Sequence, residues 1–197
     1  MSRSRPRPLV LAAGLAVVLG TMAGGAAAAG AASRPATATG APYCGIIWGS
    51  LAKAGGDLRP APLLATRTGR HDCFDRLVFE FEGRADGYRV GYADDVYTDG
   101  AGEPLSGVTA GGALLKVQLL EPAYDPQSGG LTYLHRTGDH VAAVGGYSTL
   151  RDVVYGGTFE GYTTFAVGVR ARVPFRMFVL DGPGTHSRIV VDFAHRW

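Results

Sequence analysis

The chain has 197 residues, with 19 Lys and Arg against 17 Asp and Glu and a formal net charge of +2. Three of those arginines, Arg3, Arg5 and Arg7, crowd the extreme N-terminus; without them 16 basic residues face 17 acidic ones, and the remainder carries about −1. That balance excludes a basic nucleic-acid-binding domain, and the length beyond the N-terminal segment suits one domain with its own core.

The first element is an export signal over residues 1–32. The three arginines precede an uncharged run from Leu9 to Ala32, apolar as far as Leu19 and then almost entirely Ala and Gly. A basic start, an apolar stretch and Ala-x-Ala sites at Ala26–Ala28 and Ala29–Ala31 form a secretory signal, with cleavage expected between Ala28 and Ala32. A membrane anchor over Leu9 to Ala29 is the alternative, and its Ala/Gly half partitions weakly into lipid. No Cys follows the apolar run, so no lipid attachment is expected, and no stable membrane span remains after cleavage. Residues 33–42 lack apolar periodicity and read as a flexible linker, and residues 43–197 as the folded domain.

Within that domain one short N-terminal helix is expected at Trp48 to Ala54, stopped by Gly55 and Gly56. The rest reads as strands. In Asp75 to Gly83, Leu77, Phe79 and Phe81 alternate with Arg76, Val78 and Glu80. Tyr88 to Tyr92 follows, then Ala113 to Leu120, a shorter strand near Leu150 to Tyr155, Thr163 to Ala171, Phe175 to Leu180, and Arg188 to Ala194. Turn dipeptides punctuate the intervals, among them Asp86-Gly87, Asp99-Gly100 and Gly156-Gly157. This is the pattern of a mostly β, antiparallel sandwich. Phe79, Phe81, Val167, Val191 and Phe193 are expected to share its interior.

Cys44 and Cys73 are the only cysteines. In an exported chain such a pair is most simply a disulfide, worth roughly 3.6 kcal/mol on the loop-entropy model. A reactive thiol with His71 as base is the weaker alternative. The chain lacks the nucleophile elbow, zinc-protease, phosphate-loop and dinucleotide motifs, and no catalytic residue, metal or cofactor is assigned. His135, Asp139 and His140 offer zinc ligands, and Asp94, Asp95, Asp99 and Glu103 offer calcium ligands, but polar loops account for both groups. Glu80, Glu82 and Glu160 are the carboxylates available for glycoside chemistry, and a solvated strand face explains the first two. Arg170, Arg172 and Arg176 form the densest basic group. Alternation places Arg170 and Arg172 with Ala166 on an outward face, and planar guanidinium groups there suit carboxylates or phosphates.

Four stretches carry a family likeness: YCGIIWGSLAK (Tyr43 to Lys53), HDCFDRLVFEFEG (His71 to Gly83) with GYRVGYADDV (Gly87 to Val96), FEGYTTFAVGVRARVPFRMFVL (Phe159 to Leu180), and SRIVVDFAH (Ser187 to His195). Together they resemble the AMIN-like domain family of secreted proteins and lipoproteins from high-GC Gram-positive bacteria. The resemblance implies a small β-sandwich related to modules that target periplasmic amidases and secretins to peptidoglycan. It carries over no catalytic residues. The expectation is therefore a secreted or extracellular, non-catalytic cell-envelope binding module, with peptidoglycan or another anionic wall polymer as partner. An envelope hydrolase using Glu80, Glu82 or Glu160 is the first alternative, and a protein-interaction domain that pairs by a strand edge is the second.

Overall fold

The computed structural model describes residues 42–197. The expected signal over residues 1–32, and all of the 33–42 linker except Pro42, lie outside the described residues. The strands are β1 (Lys53–Gly55), β2 (Leu63–Arg70), β3 (Phe74–Phe81), β4 (Tyr88–Ala93), β5 (Ala113–Leu119), β6 (Leu150–Phe159), β7 (Tyr162–Val169), β8 (Phe175–Asp181) and β9 (Ser187–Ala194). One sheet has the order β1-β4-β5-β7-β6 and the other β2-β3-β9-β8. All strand pairings are antiparallel.

Alternation builds the interior. Leu77, Phe79 and Phe81 of β3 and Ile189, Val191 and Phe193 of β9 meet Leu115, Val117 and Leu119 of β5 and Phe165, Val167 and Val169 of β7 in one buried cluster. The ring centroids of Phe79 and Phe165 lie 4.8 Å apart across the sheets. Tyr133 and Tyr155 pack edge-on beside them at 5.2 Å. The five residues expected to share the interior are all fully buried there.

The expected N-terminal helix is absent: the described residues contain no helix. Across Trp48 to Ala54 the backbone is committed to other strands instead. The Phe175 N–H donates to the Gly49 carbonyl at 2.9 Å, and Lys53–Gly55 pairs with β4. Lys53 Nζ donates to the carbonyls of Gly49 and Leu51, both at 3.1 Å. Carbonyls that a helix would use internally are thus taken elsewhere, and Gly49, Gly55 and Gly56 lower helix propensity further.

β6 is longer than expected. Gly156-Gly157 is not a turn but a bulge inside the strand, where the register shifts between Tyr155 and Gly157 and Gly157 takes φ 107°. The turn comes later, at Glu160 and Gly161, both with positive φ (50° and 84°), the backbone of a type I′ hairpin. β7 also departs from the expected in/out pattern. Ala166 does not face solvent: it is fully buried under Val96 and Leu105 of the β4–β5 connection, which form a second apolar cluster with Val154. β7 ends at Val169, so Arg170 and Arg172 belong to the connection into β8.

Candidate functional site

The outer face of the β2-β3-β9-β8 sheet brings arginine, aspartate and aromatic side chains together. Register aligns Arg76 of β3, Asp192 of β9 and Arg176 of β8 in one cross-strand row. Asp192 is fully buried. Arg76 grips it in bidentate fashion, Nε to Oδ1 at 2.7 Å and Nη2 to Oδ2 at 2.9 Å. Arg176 approaches from the other side, with Nε and Nη2 at 2.8 and 2.7 Å from Oδ2. One carboxylate thus serves two guanidinium groups, and one positive charge is left unbalanced in the row.

Aromatic rings wall that charge. Arg176 lies 5.0 Å from the Phe178 ring, 5.4 Å from Phe74 and 5.6 Å from Trp48. Arg76 lies 5.1 Å from Phe74 and 5.3 Å from Phe178. Trp48 reaches this face because two local ties hold its segment. The Cys44–Cys73 disulfide, with Cα atoms 6.4 Å apart, joins the segment to the residue preceding Phe74. The Trp48 indole N–H donates to the Tyr43 carbonyl at 2.9 Å. Both guanidinium groups stay partly exposed. Their N–H groups not directed at Asp192 can receive a carboxylate or phosphate beside an aromatic wall on which an apolar ring face can rest.

The arginines singled out in the sequence separate in the fold. Arg176 belongs to this row. Arg170 lies on the β7–β8 connection and donates through Nη2 to the His195 carbonyl at 2.6 Å. Arg172 lies on the same connection with its guanidinium 5.1 Å from the Tyr92 ring. Arg76, Asp192, Phe74 and Phe178 are site residues that the sequence pattern does not single out. Their outward position on alternating strands was readable, but the register that aligns them was not.

The carboxylates considered for hydrolysis do not converge. Glu80 is bonded to His186 at 3.0 Å and to Arg67 at 2.7 Å, and these two partners hold its carboxyl below the usual carboxylate range. Glu82 is exposed just past the end of β3, and Glu160 occupies the β6–β7 turn of the other sheet. The loop acids are also engaged locally. Asp95 accepts from the backbone N–H groups of Val96 and Ser106 and from the Ser106 hydroxyl. Asp99 accepts from the Thr164 hydroxyl at 3.0 Å. His140 turns to Asp152 at 2.8 Å, while His135 stands 3.9 Å from Asp139. No cluster of three or more metal-ligating side chains occurs among the described residues.

These features define a disulfide-tied antiparallel β-sandwich with a cationic, aromatic sheet face. The AMIN-like domain family model matches residues 61–195, and the chain belongs to that family. The match begins after the Tyr43 to Lys53 stretch, so Cys44 and Trp48 lie outside it. No curated protein and no solved structure matches the chain. The family places the domain in a cell-envelope context. Among the described residues no helix is long and apolar enough to cross a membrane.

Proposed function

We propose that the chain is an exported, non-catalytic module that binds an anionic polymer of the cell envelope, peptidoglycan or another acidic wall polymer, on the outer face of the β2-β3-β9-β8 sheet. The supporting observation is the Arg76–Asp192–Arg176 row, which keeps one positive charge in excess between Phe74, Phe178 and Trp48. Wall polymers offer carboxylates or phosphates beside sugar rings, and this face offers guanidinium groups beside aromatic rings. Within the set Arg170, Arg172 and Arg176, the third carries the contact, and the first two contribute from the neighbouring connection only as peripheral charge. The test is co-sedimentation of residues 33–197 with insoluble cell-wall sacculi, with soluble sugar measured in the supernatant. The reading expects the protein in the pellet and no sugar released. Protein in the supernatant, or released sugar that disappears in Glu80→Gln or Glu160→Gln, contradicts it.

A further inference from the structure

A cleft that shares no lining residue with the Arg76–Arg176 row lies at the end of β4. It measures about 420 Å³ and is lined by Tyr92 and Asp94 at the end of β4, Ser106 and Thr109 of the β4–β5 connection, Gly111 and Gly112, and Arg172. That volume is within the range of small-molecule sites. Its two charged side chains are of opposite sign. Among the described residues no ion pair joins Asp94 to Arg172, and no hydrogen bond from another side chain engages either charged head. Other opposite charges that lie close in this fold do pair, as Asp86 does with Arg59 and Glu80 with Arg67, whereas Asp94 and Arg172 each keep a free charged head on the same cleft.

The cleft is held in shape. The Tyr92 hydroxyl donates to the Val173 carbonyl at 2.7 Å, and burial pushes that phenol up to about 12, so it stays a neutral donor. The Arg172 guanidinium lies over the Tyr92 ring, 5.1 Å from the centroid, and its N–H groups have no hydrogen-bond partner among the described residues. The Trp197 indole N–H donates to the Arg172 carbonyl at 3.0 Å and fixes the connection from behind. Gly111 and Gly112 also line the cleft, packed against the backbone at the end of β7. A Cβ at Gly112 would stand 2.3 Å from the Arg170 carbonyl oxygen, and one at Gly111, where φ is 146°, 2.8 Å from that of Val169. The hydroxyls of Ser106 and Thr109 spend their protons on Asp95 and on the Leu105 carbonyl, so toward the cleft they are acceptors.

We infer that this cleft binds a small zwitterion, a free amino acid or short peptide with unblocked ends, its carboxylate on Arg172 and its ammonium on Asp94. A guanidinium edge takes a carboxylate in bidentate fashion, and Asp94 with the Ser106 and Thr109 oxygens supplies acceptors for the three ammonium protons. Because the two protein charges line one cleft without pairing to each other, a ligand that carries both opposite charges satisfies them together, whereas a simple anion or cation satisfies one.

The test is an NMR titration of residues 33–197 with alanine and with alanyl-alanine, which separates a free amino acid from a peptide. Each is compared with its N-acetyl and its C-terminal amide derivative. The expected result is saturable shifts at the Tyr92, Gly111 and Gly112 amides, with a Kd on the order of 1 mM or tighter for one of the two zwitterions. Blocking either end should weaken binding at least tenfold. In Asp94→Asn, acetylation should no longer matter; in Arg172→Gln, amidation should no longer matter. Both variants alter exposed side chains and are expected to keep the parent melting temperature. No saturable shift with either zwitterion, equal binding of free and blocked forms, or unchanged preferences in both variants overturns the assignment.

Discussion

Asp192 shows at the scale of one residue how this sheet face is built. It is fully buried, and two arginines converge on its carboxyl oxygens. Asp192→Asn keeps the shape but leaves two guanidinium groups without their counter-charge. Both guanidinium groups are partly exposed and solvent can screen them, so the loss is that of their charge-assisted hydrogen bonds, about 1–3 kcal/mol, and urea unfolding should show a loss of that order. A loss below about 1 kcal/mol would mean that the row is ordinary surface. Glu121 poses the opposite problem. It is fully buried, and its Oε1 accepts from the N–H groups of Asp86 and Gly87 at 3.1 and 2.9 Å. Its Oε2 has no partner among the described residues. Burial, reinforced by the nearby charge of Asp86, pushes the carboxyl from 4.5 up to about 8, against the pull of those N–H groups. Across that interval the folded chain holds a proton that the unfolded chain has released. Stability is therefore greatest below about pH 4.5 as far as this group is concerned, and falls as pH rises toward 8, by at most about 1.4 kcal/mol per unit. Thermal unfolding measured from pH 5 to pH 8 should show a steeper decline in the parent than in Glu121→Gln. Equal slopes would show that the carboxyl is already ionised in the folded chain.

Individual elements were legible in proportion to the simplicity of their two faces. β3, β5 and β9 display a full apolar row to one side, and their inward residues were read correctly. β2 was missed because its inward residues include Thr66 and Thr68, which bond the hydroxyls of Tyr133 and Tyr147, so no apolar alternation marks it. β7 was found, but its second face was misread: Ala166 looks like an outward residue until the β4–β5 connection is seen to cover it. Trp48 to Ala54 was misread as a helix because its local sequence does not reveal that its backbone pairs with Phe175 and β4. The same limit applied to the site. Arg176 stood out as one of a basic group, whereas Arg76 and Asp192 each resemble any outward strand residue until register joins them. The Cys44–Cys73 pair was legible from its number and setting, and it ties the Trp48 segment to the start of β3. Reduction should lower the melting temperature, consistent with a contribution of roughly 3.6 kcal/mol from loop closure. It should also change the Trp48 emission, because the indole loses its fixed place beside Phe74 and Arg176. Unchanged emission and melting temperature after complete reduction would separate the disulfide from the site.

For the whole molecule, the proposed function requires that residues 1–32 direct export and that the sandwich display its charged sheet face outside the cell. The N-terminus of protein collected from culture medium should lie between Ala29 and Ser33, after loss of Arg3, Arg5 and Arg7. An intact Met1 in the membrane fraction would make the segment an anchor. The two sheets share one core, so the envelope face and the Tyr92–Arg172 cleft are carried by a single packed unit, and a variant at one is expected to leave the other intact. The most direct test of the envelope-binding reading is the salt dependence of sacculus binding in Arg176→Gln. That change keeps the bidentate Arg76–Asp192 pair and removes the one charge in excess. The account predicts that the variant still folds, somewhat less stable because Asp192 keeps only its Arg76 partner, sediments several-fold less at low ionic strength, and loses most of the salt dependence that the parent shows. A folded variant that sediments like the parent at every salt concentration would contradict the assignment of this face.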